Sequence, residues 1–146
     1  MNDSELEIIL QFPKILHVVM RKMMHGFRSS QLDIILNQTQ GRTLLLLYDK
    51  GETTMTDLHR SIGLEKGSLT SVIDQLIKKR LVERKRDAGD RRKVNISLTT
   101  MGQDKAEILR MEIAGYIKQN LERLPVEDRG QFYRAVEALI DISRKL

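Results

Sequence analysis

Between Thr53 and Lys79 two amphipathic segments are separated by only a few residues, and no other feature constrains the fold as strongly. Thr56 is placed to cap the first segment and Asp57 suits its first turn. Leu58 and Ile62 give that segment an apolar side, and Gly63 ends it after fewer than three helical turns. Leu64–Gly67 make a brief turn. The second segment, Lys66–Lys79, carries Leu69, Val72, Ile73, Leu76 and Ile77. That is the i, i+3, i+4, i+7, i+8 stripe of a helix with one buried face. A short helix, a tight glycine-containing turn and a second helix make a helix-turn-helix.

The next residues complete a winged version of that motif. Leu81–Arg86 reads as a strand, and Asp87-Ala88-Gly89-Asp90 has turn composition. Lys93–Leu98 then alternates strictly, with Val94, Ile96 and Leu98 on one face and Lys93, Asn95 and Ser97 on the other. The pattern is a β-hairpin with one wet face. Upstream, Glu5–Phe27 has a broad apolar stripe at helical spacing, with Pro13 as a kink or as the true start. Its Met20, Met23 and Met24 suit adaptable packing. Thr39–Lys50 reads as a helix capped by Thr39 and stopped by Gly51. Downstream, Thr99 or Thr100 opens a long helix to about Arg123, and Thr100-x-x-Gln103 fits a capping box. Leu124-Pro125 breaks it, and Val126–Lys145 forms the last helix.

The expected fold is mainly α with a small β-hairpin wing (α+β), a winged helix-turn-helix flanked by N- and C-terminal dimerisation helices. The expected organisation is an N-terminal helix in 1–38, the winged helix-turn-helix in 39–99 and C-terminal helices in 100–146. The first and last helices carry apolar faces without a local partner. The economical solution is that they pack together across a two-fold axis, as an isologous homodimer.

Composition removes several function classes. The 146 residues contain no cysteine, which excludes a disulfide framework, thiolate zinc sites and thiol catalysis. The opening Met1-Asn2-Asp3-Ser4-Glu5 is acidic where a signal peptide is basic. The most apolar stretch, Ile8–Met24, is interrupted by Gln11, Pro13, Lys14, His17, Arg21 and Lys22, too often for a membrane span. A cytoplasmic location is expected, with no membrane partner. His17, His25 and His59 are scattered, no HExxH, G-x-S-x-G or P-loop pattern occurs, and neither an enzyme nor a metal or cofactor is expected.

Charge is informative by location. The net charge is +5, and Thr53–Leu98 holds eleven Lys/Arg against six Asp/Glu, while the remainder balances. The whole excess therefore lies in the winged segment, the footprint of a polyanion site. On the second helix, the face opposite the apolar stripe shows Lys66, Ser68, Thr70, Ser71, Asp74, Gln75 and Lys78. Hydroxyls, an amide and lysines suit a groove in double-stranded DNA, and Gln75 can read adenine. Nine of the sixteen residues from Lys78 to Lys93 are basic. An arginine at a hairpin tip can enter a minor groove, where negative potential concentrates. Asp90 can hold a neighbouring guanidinium and fix that tip. Arg84, Lys85, Arg86 and Lys93 would neutralise phosphates.

On these residues the sequence resembles the MarR family of transcriptional regulators. The wing is similar to the family's D-x-R-x-x-x-x-x-L-T pattern, here Asp90-Arg91-Arg92-Lys93-Val94-Asn95-Ile96-Ser97-Leu98-Thr99, with Gly102 beyond it. The stretch LEKGSLTSVIDQLIKKRLVER, Leu64–Arg84, also fits. The resemblance implies that Asp90 braces the wing, that Arg92 is the minor-groove finger with Arg91 beside it, and that Ser68, Thr70 and Ser71 contact DNA. It implies a homodimer on a pseudo-palindromic operator, acting as a repressor, and a small aromatic effector that releases it. Two positions depart from the family's pattern. Arg80 stands where the family often has glycine, which implies a locally different helix end. Ser71 stands where many members carry arginine, which implies a different base preference. The competing reading is a winged helix that binds another protein, or an antirepressor, without sequence-specific DNA binding.

Overall fold

Side-chain caps decide where several of the helices begin. Asn2 caps α1 (Asp3–Met24): its Oδ1 accepts from Glu5 N–H at 2.8 Å while Glu5 Oε2 accepts from Asn2 N–H at 2.7 Å. This reciprocal box satisfies two otherwise orphan donors. Pro13 therefore lies inside α1 and is not its start. The same device opens α2 (Gln38–Lys50), where Asn37 and Gln40 exchange bonds of 2.8 and 3.1 Å. Asn37, not Thr39, is the cap of α2, because an asparagine two residues earlier already meets the free N–H groups. Thr43 is buried within α2 and returns its hydroxyl to Thr39 O at 2.8 Å.

The computed structural model describes residues 2–90 and 92–146, with Lys66 described by its backbone alone. The remaining elements are β1 (Thr53–Thr54), α3 (Met55–Ile62), α4 (Lys66–Lys78), β2 (Val82–Arg86), β3 (Val94–Leu98), α5 (Thr100–Glu122) and α6 (Val126–Ser143). They divide into two units. One contains the chain up to Arg28 together with Ile113–Leu146, and the other is Ser29–Glu112. Both boundaries suggested by the sequence, after 38 and after 99, fall inside the second unit. The reason is packing: Ile34 and Leu36 pack against the core from one side and Met101 from the other, while Ala106 is part of it.

Within Ser29–Glu112 the sheet is antiparallel in the order β1-β3-β2. The hairpin pairs Val82 with Leu98, Arg84 with Ile96 and Arg86 with Val94. On the other edge of β3, Thr53 pairs with Ile96 and Thr54 with Asn95, so a third strand joins the hairpin. Thr54 then caps α3, accepting from Asp57 N–H at 3.1 Å, and Thr56 already lies inside the helix. Gly63 ends α3 in the left-handed conformation (φ 69°). The core gathers Leu44 and Leu47 of α2, Leu58 and Ile62 of α3, Leu69, Ile73 and Leu76 of α4, and Leu81, Val82 and Ile96 of the wing.

The join between wing and α5 is tight. Thr99 N–H donates to Leu81 O at 3.0 Å, and Thr99 Oγ1 accepts from Gly102 N–H at 2.9 Å while donating to Arg80 O at 2.7 Å. Thr99 is thus the cap of α5, and the Thr100–Gln103 box is not the device used. A Cβ on Gly102 would lie 1.9 Å from Leu81 O, so only glycine fits.

In the other unit, Phe27 and Tyr116 meet edge to face with centroids 5.4 Å apart, Tyr116 donates its hydroxyl to His25 O, and Asn120 Nδ2 donates to Met23 O at 2.8 Å. Neither α1 nor α6 buries a residue. Among the described residues no helix is long and apolar enough to cross a membrane.

Candidate nucleic-acid interface

The helical half of the site depends on how α4 is anchored. Leu69, Ile73 and Leu76 are fully buried, which turns Ser68, Thr70, Ser71 and Gln75 outward. Asp74 is half-buried and Lys78 is exposed. The side chain of Lys66 lies outside the described residues. Gln75 does not stand alone: its Oε1 accepts from Gln40 Nε2 at 2.6 Å and its Nε2 donates to Ser71 Oγ at 3.3 Å.

The C-terminal end of α4 aims the hairpin. Arg80 N–H donates to Ile77 O at 2.8 Å and Leu81 N–H donates to Leu76 O at 3.0 Å. These are the two bonds of a Schellman motif, with Arg80 at the position that glycine prefers. Arg80 adopts φ 60°, the left-handed conformation. Arg80 thus takes up the conformation that glycine would adopt most readily. The two backbone bonds and the Thr99 hydroxyl bond to Arg80 O hold it there.

The wing tip is organised by two carboxylates. Asp87 Oδ1 accepts from Gly89 N–H at 2.8 Å and Asp90 N–H at 2.9 Å, and Asp87 Oδ2 accepts from Asn95 Nδ2 at 3.3 Å. The backbone bonds from Asp90 and Gly89, then the bond from Asn95, hold its carboxyl below the usual aspartate range. Asp90 Oδ1 accepts from the Arg92 backbone N–H at 3.0 Å, and Asp90 O accepts from Lys93 N–H at 2.9 Å. Asp90 therefore meets the main chain of Arg92, not its guanidinium. Asp87 makes more bonds than Asp90, although the sequence pattern points to Asp90 alone as the brace. An aspartate two residues before a glycine in a hairpin turn is the signal that could have found it.

The expected cations do not form one set. Arg86, Arg92 and Lys93 are exposed and make no ion pair among the described residues. Arg91 lies outside the described residues. Arg84 points toward the helix: its Nη2 lies 2.8 Å from Asp74 Oδ1. Arg84, expected at a phosphate, is exposed and is engaged by Asp74 in this structure. Lys85, on the opposite face, pairs with Glu83 at 2.7 Å, and that pair holds its ammonium pKa above the usual lysine value.

The arrangement is a polar helix face rich in hydroxyls beside a braced finger whose described cations Arg86, Arg92 and Lys93 make no ion pair among the described residues. The MarR family profile matches residues 36–94, which span α2 through the start of β3. The regulator YdgJ of Bacillus subtilis, named as an HTH-type transcriptional regulator, is 28% identical over 94 residues, 64% of this chain and 57% of YdgJ. The chain thus aligns with little more than half of that relative's length. Two solved structures share the fold. A mutant MarR from E. coli complexed with operator DNA has TM-score 0.65 at 24% identity, covering 94% of this chain and 99% of that one. Bordetella bronchiseptica BpsR, described for regulation of its DNA binding by 6-hydroxynicotinic acid, has TM-score 0.67 at 21% identity, covering 88% and 98%. The profile match spans the helix-turn-helix and the wing tip, and over that segment the chain is similar to the MarR family.

Proposed function

We propose that this protein is a sequence-specific, DNA-binding transcriptional regulator that acts as a homodimer and represses from a pseudo-palindromic operator. The observation that carries this reading is the wing tip: Arg86, Arg92 and Lys93 stand exposed and unpaired among the described residues, on a turn that Asp87 and Asp90 brace through the backbone. Arg92 is the minor-groove finger, Arg91, Arg86 and Lys93 serve phosphates and groove beside it, and Asp90 braces them. Lys66, Ser68, Thr70, Ser71 and Gln75 face the major groove. The family's namesake provides the parallel, since a mutant of it is known in complex with operator DNA.

The homodimer reading rests on α1 and α6, which expose Leu6, Ile9, Leu16, Leu139 and Ile140 and bury nothing. Two such copies would set two recognition helices about one helical turn of DNA, roughly 34 Å, apart. A small aromatic effector that favours another spacing would release the DNA by population shift. Binding to the duplex upstream of the protein's own gene tests the proposal, titrated against random-sequence competitor over a range of salt. The expected slope is about −0.9 in log affinity per log salt for each phosphate contact. Arg92→Ala should weaken binding by about tenfold without lowering the melting temperature. Equal binding by that variant would remove the wing from the reading and favour a protein-binding module.

A further inference from the structure

Gln40 is only 5% exposed, and its carboxamide can lie only one way round. The Asn37 backbone N–H at 3.1 Å and the Lys79 ammonium at 3.3 Å meet the same end of it. Both groups can only donate, so that end is the carbonyl oxygen. The other end is the NH2, and it donates to the side chain of Gln75 at 2.6 Å. A donor must meet an acceptor, so Gln75 turns its carbonyl inward and its own NH2 outward. There it donates to Ser71 Oγ at 3.3 Å, which leaves the Ser71 hydroxyl proton for an outside acceptor. A buried residue of α2 thereby dictates that two exposed positions of α4 present hydrogen-bond donors.

We propose that Gln40, which cannot itself touch DNA, sets the base preference of the recognition helix by holding Gln75 and Ser71 as donors, so that this part of α4 selects guanine over adenine. In the major groove guanine offers two adjacent acceptors, O6 and N7. Adenine offers one acceptor and the N6 donor, cytosine offers the N4 donor, and thymine offers a single acceptor beside a methyl group. Bidentate reading of adenine by a glutamine requires the glutamine carbonyl. In Gln75 that carbonyl already accepts from Gln40, so the adenine reading drawn from the sequence is replaced.

The inference rests on the DNA-binding reading, and one experiment separates the two. Duplexes selected from a random library by the full chain are compared with those selected by Gln40→Glu and by Gln75→Ala. Glutamate at position 40 still accepts from Asn37 and Lys79 but cannot donate, so Gln75 must turn round and present its carbonyl. The parent should enrich guanine over adenine by about tenfold at one position of each half-site. Gln40→Glu should reverse that preference toward adenine or cytosine, and Gln75→Ala, which removes a groove contact and weakens binding to every duplex, should lose it. Base preference is read as a ratio, so the added negative charge, which weakens binding to every duplex, cancels. Adenine enrichment by the parent, or guanine preference retained by Gln40→Glu, overturns the inference and leaves the DNA-binding reading intact. If Gln40→Glu does not fold, the exposed Gln75→Ala decides, and retained guanine preference overturns the inference. If the parent enriches no sequence, the DNA-binding reading falls and takes this inference with it.

Discussion

Two residues at the root of the wing make opposite demands on their backbone. Gly102 occupies a site where a methyl group would sit 1.9 Å from Leu81 O, and the obstacle is main chain, which no rotamer change can relieve. Gly102→Ala should therefore destabilise the protein by about 3 kcal/mol, the upper part of the usual range for overpacking, measured by urea denaturation. Arg80 shows the reverse case, an L-residue held in the left-handed region by its neighbours' hydrogen bonds. Arg80→Gly should stabilise by about 1 kcal/mol, the left-handed penalty less the added freedom of the unfolded chain. Arg80→Ala, which keeps the penalty, should gain almost nothing in the same denaturation. The glycine after the wing motif is visible in the sequence, but its reason is not. It depends on how closely α5 starts to Leu81, a distance between residues twenty-one positions apart.

At the scale of elements, the segment before α2 is tied down by one carboxylate of α5. Glu112 accepts from Ser30 N–H at 2.8 Å, Gln31 N–H at 2.9 Å, Ser30 Oγ at 3.0 Å, and the Ser29 hydroxyl. Partial burial pushes its carboxyl up, but these bonds outweigh burial and hold it below the usual glutamate range. A carboxylate depressed in the folded state adds stability above its unfolded pKa, and that stability is lost as pH falls through the folded value. Glu112→Gln should cost about 1 kcal/mol at neutral pH, and the gap to the parent should narrow on acidification below the ordinary glutamate range. Paired urea titrations across that range check this. Asp87 has the same sign in the wing: Asp87→Asn should loosen the tip, read as faster exchange of the Gly89 and Asp90 amides, and the parent should show the same loosening in acid. Periodicity in the sequence locates these elements to within a few residues. It places the caps of α2 and α3 two positions off, because Thr, Asn and Asp are all competent caps and only the folded chain shows which oxygen reaches a free N–H.

Over the whole molecule, the proposed dimer makes its own claim. Ile9 and Leu16 on α1 and Ile140 on α6 are each exposed by about half, far more apolar surface than an isolated helix bundle normally leaves in water. The double variant Ile9→Lys, Leu16→Lys should sediment as a monomer in analytical ultracentrifugation, with the Ser29–Glu112 unit still folded by circular dichroism. A dimer that survives both charges would put the interface elsewhere. Amphipathic spacing, turn composition and the location of charge were enough to determine a winged helix-turn-helix with a basic finger, since each is a local property that any compact fold must respect. Which polar groups remain free was decided by tertiary structure alone. Arg84 and Asp74, Gln75 and Gln40, and Asp87 and Asn95 are distant in sequence or lie on different elements. Only packing brings such groups within hydrogen-bonding distance, and each pair formed there withdraws a side chain, or one end of it, from whatever the surface could otherwise bind.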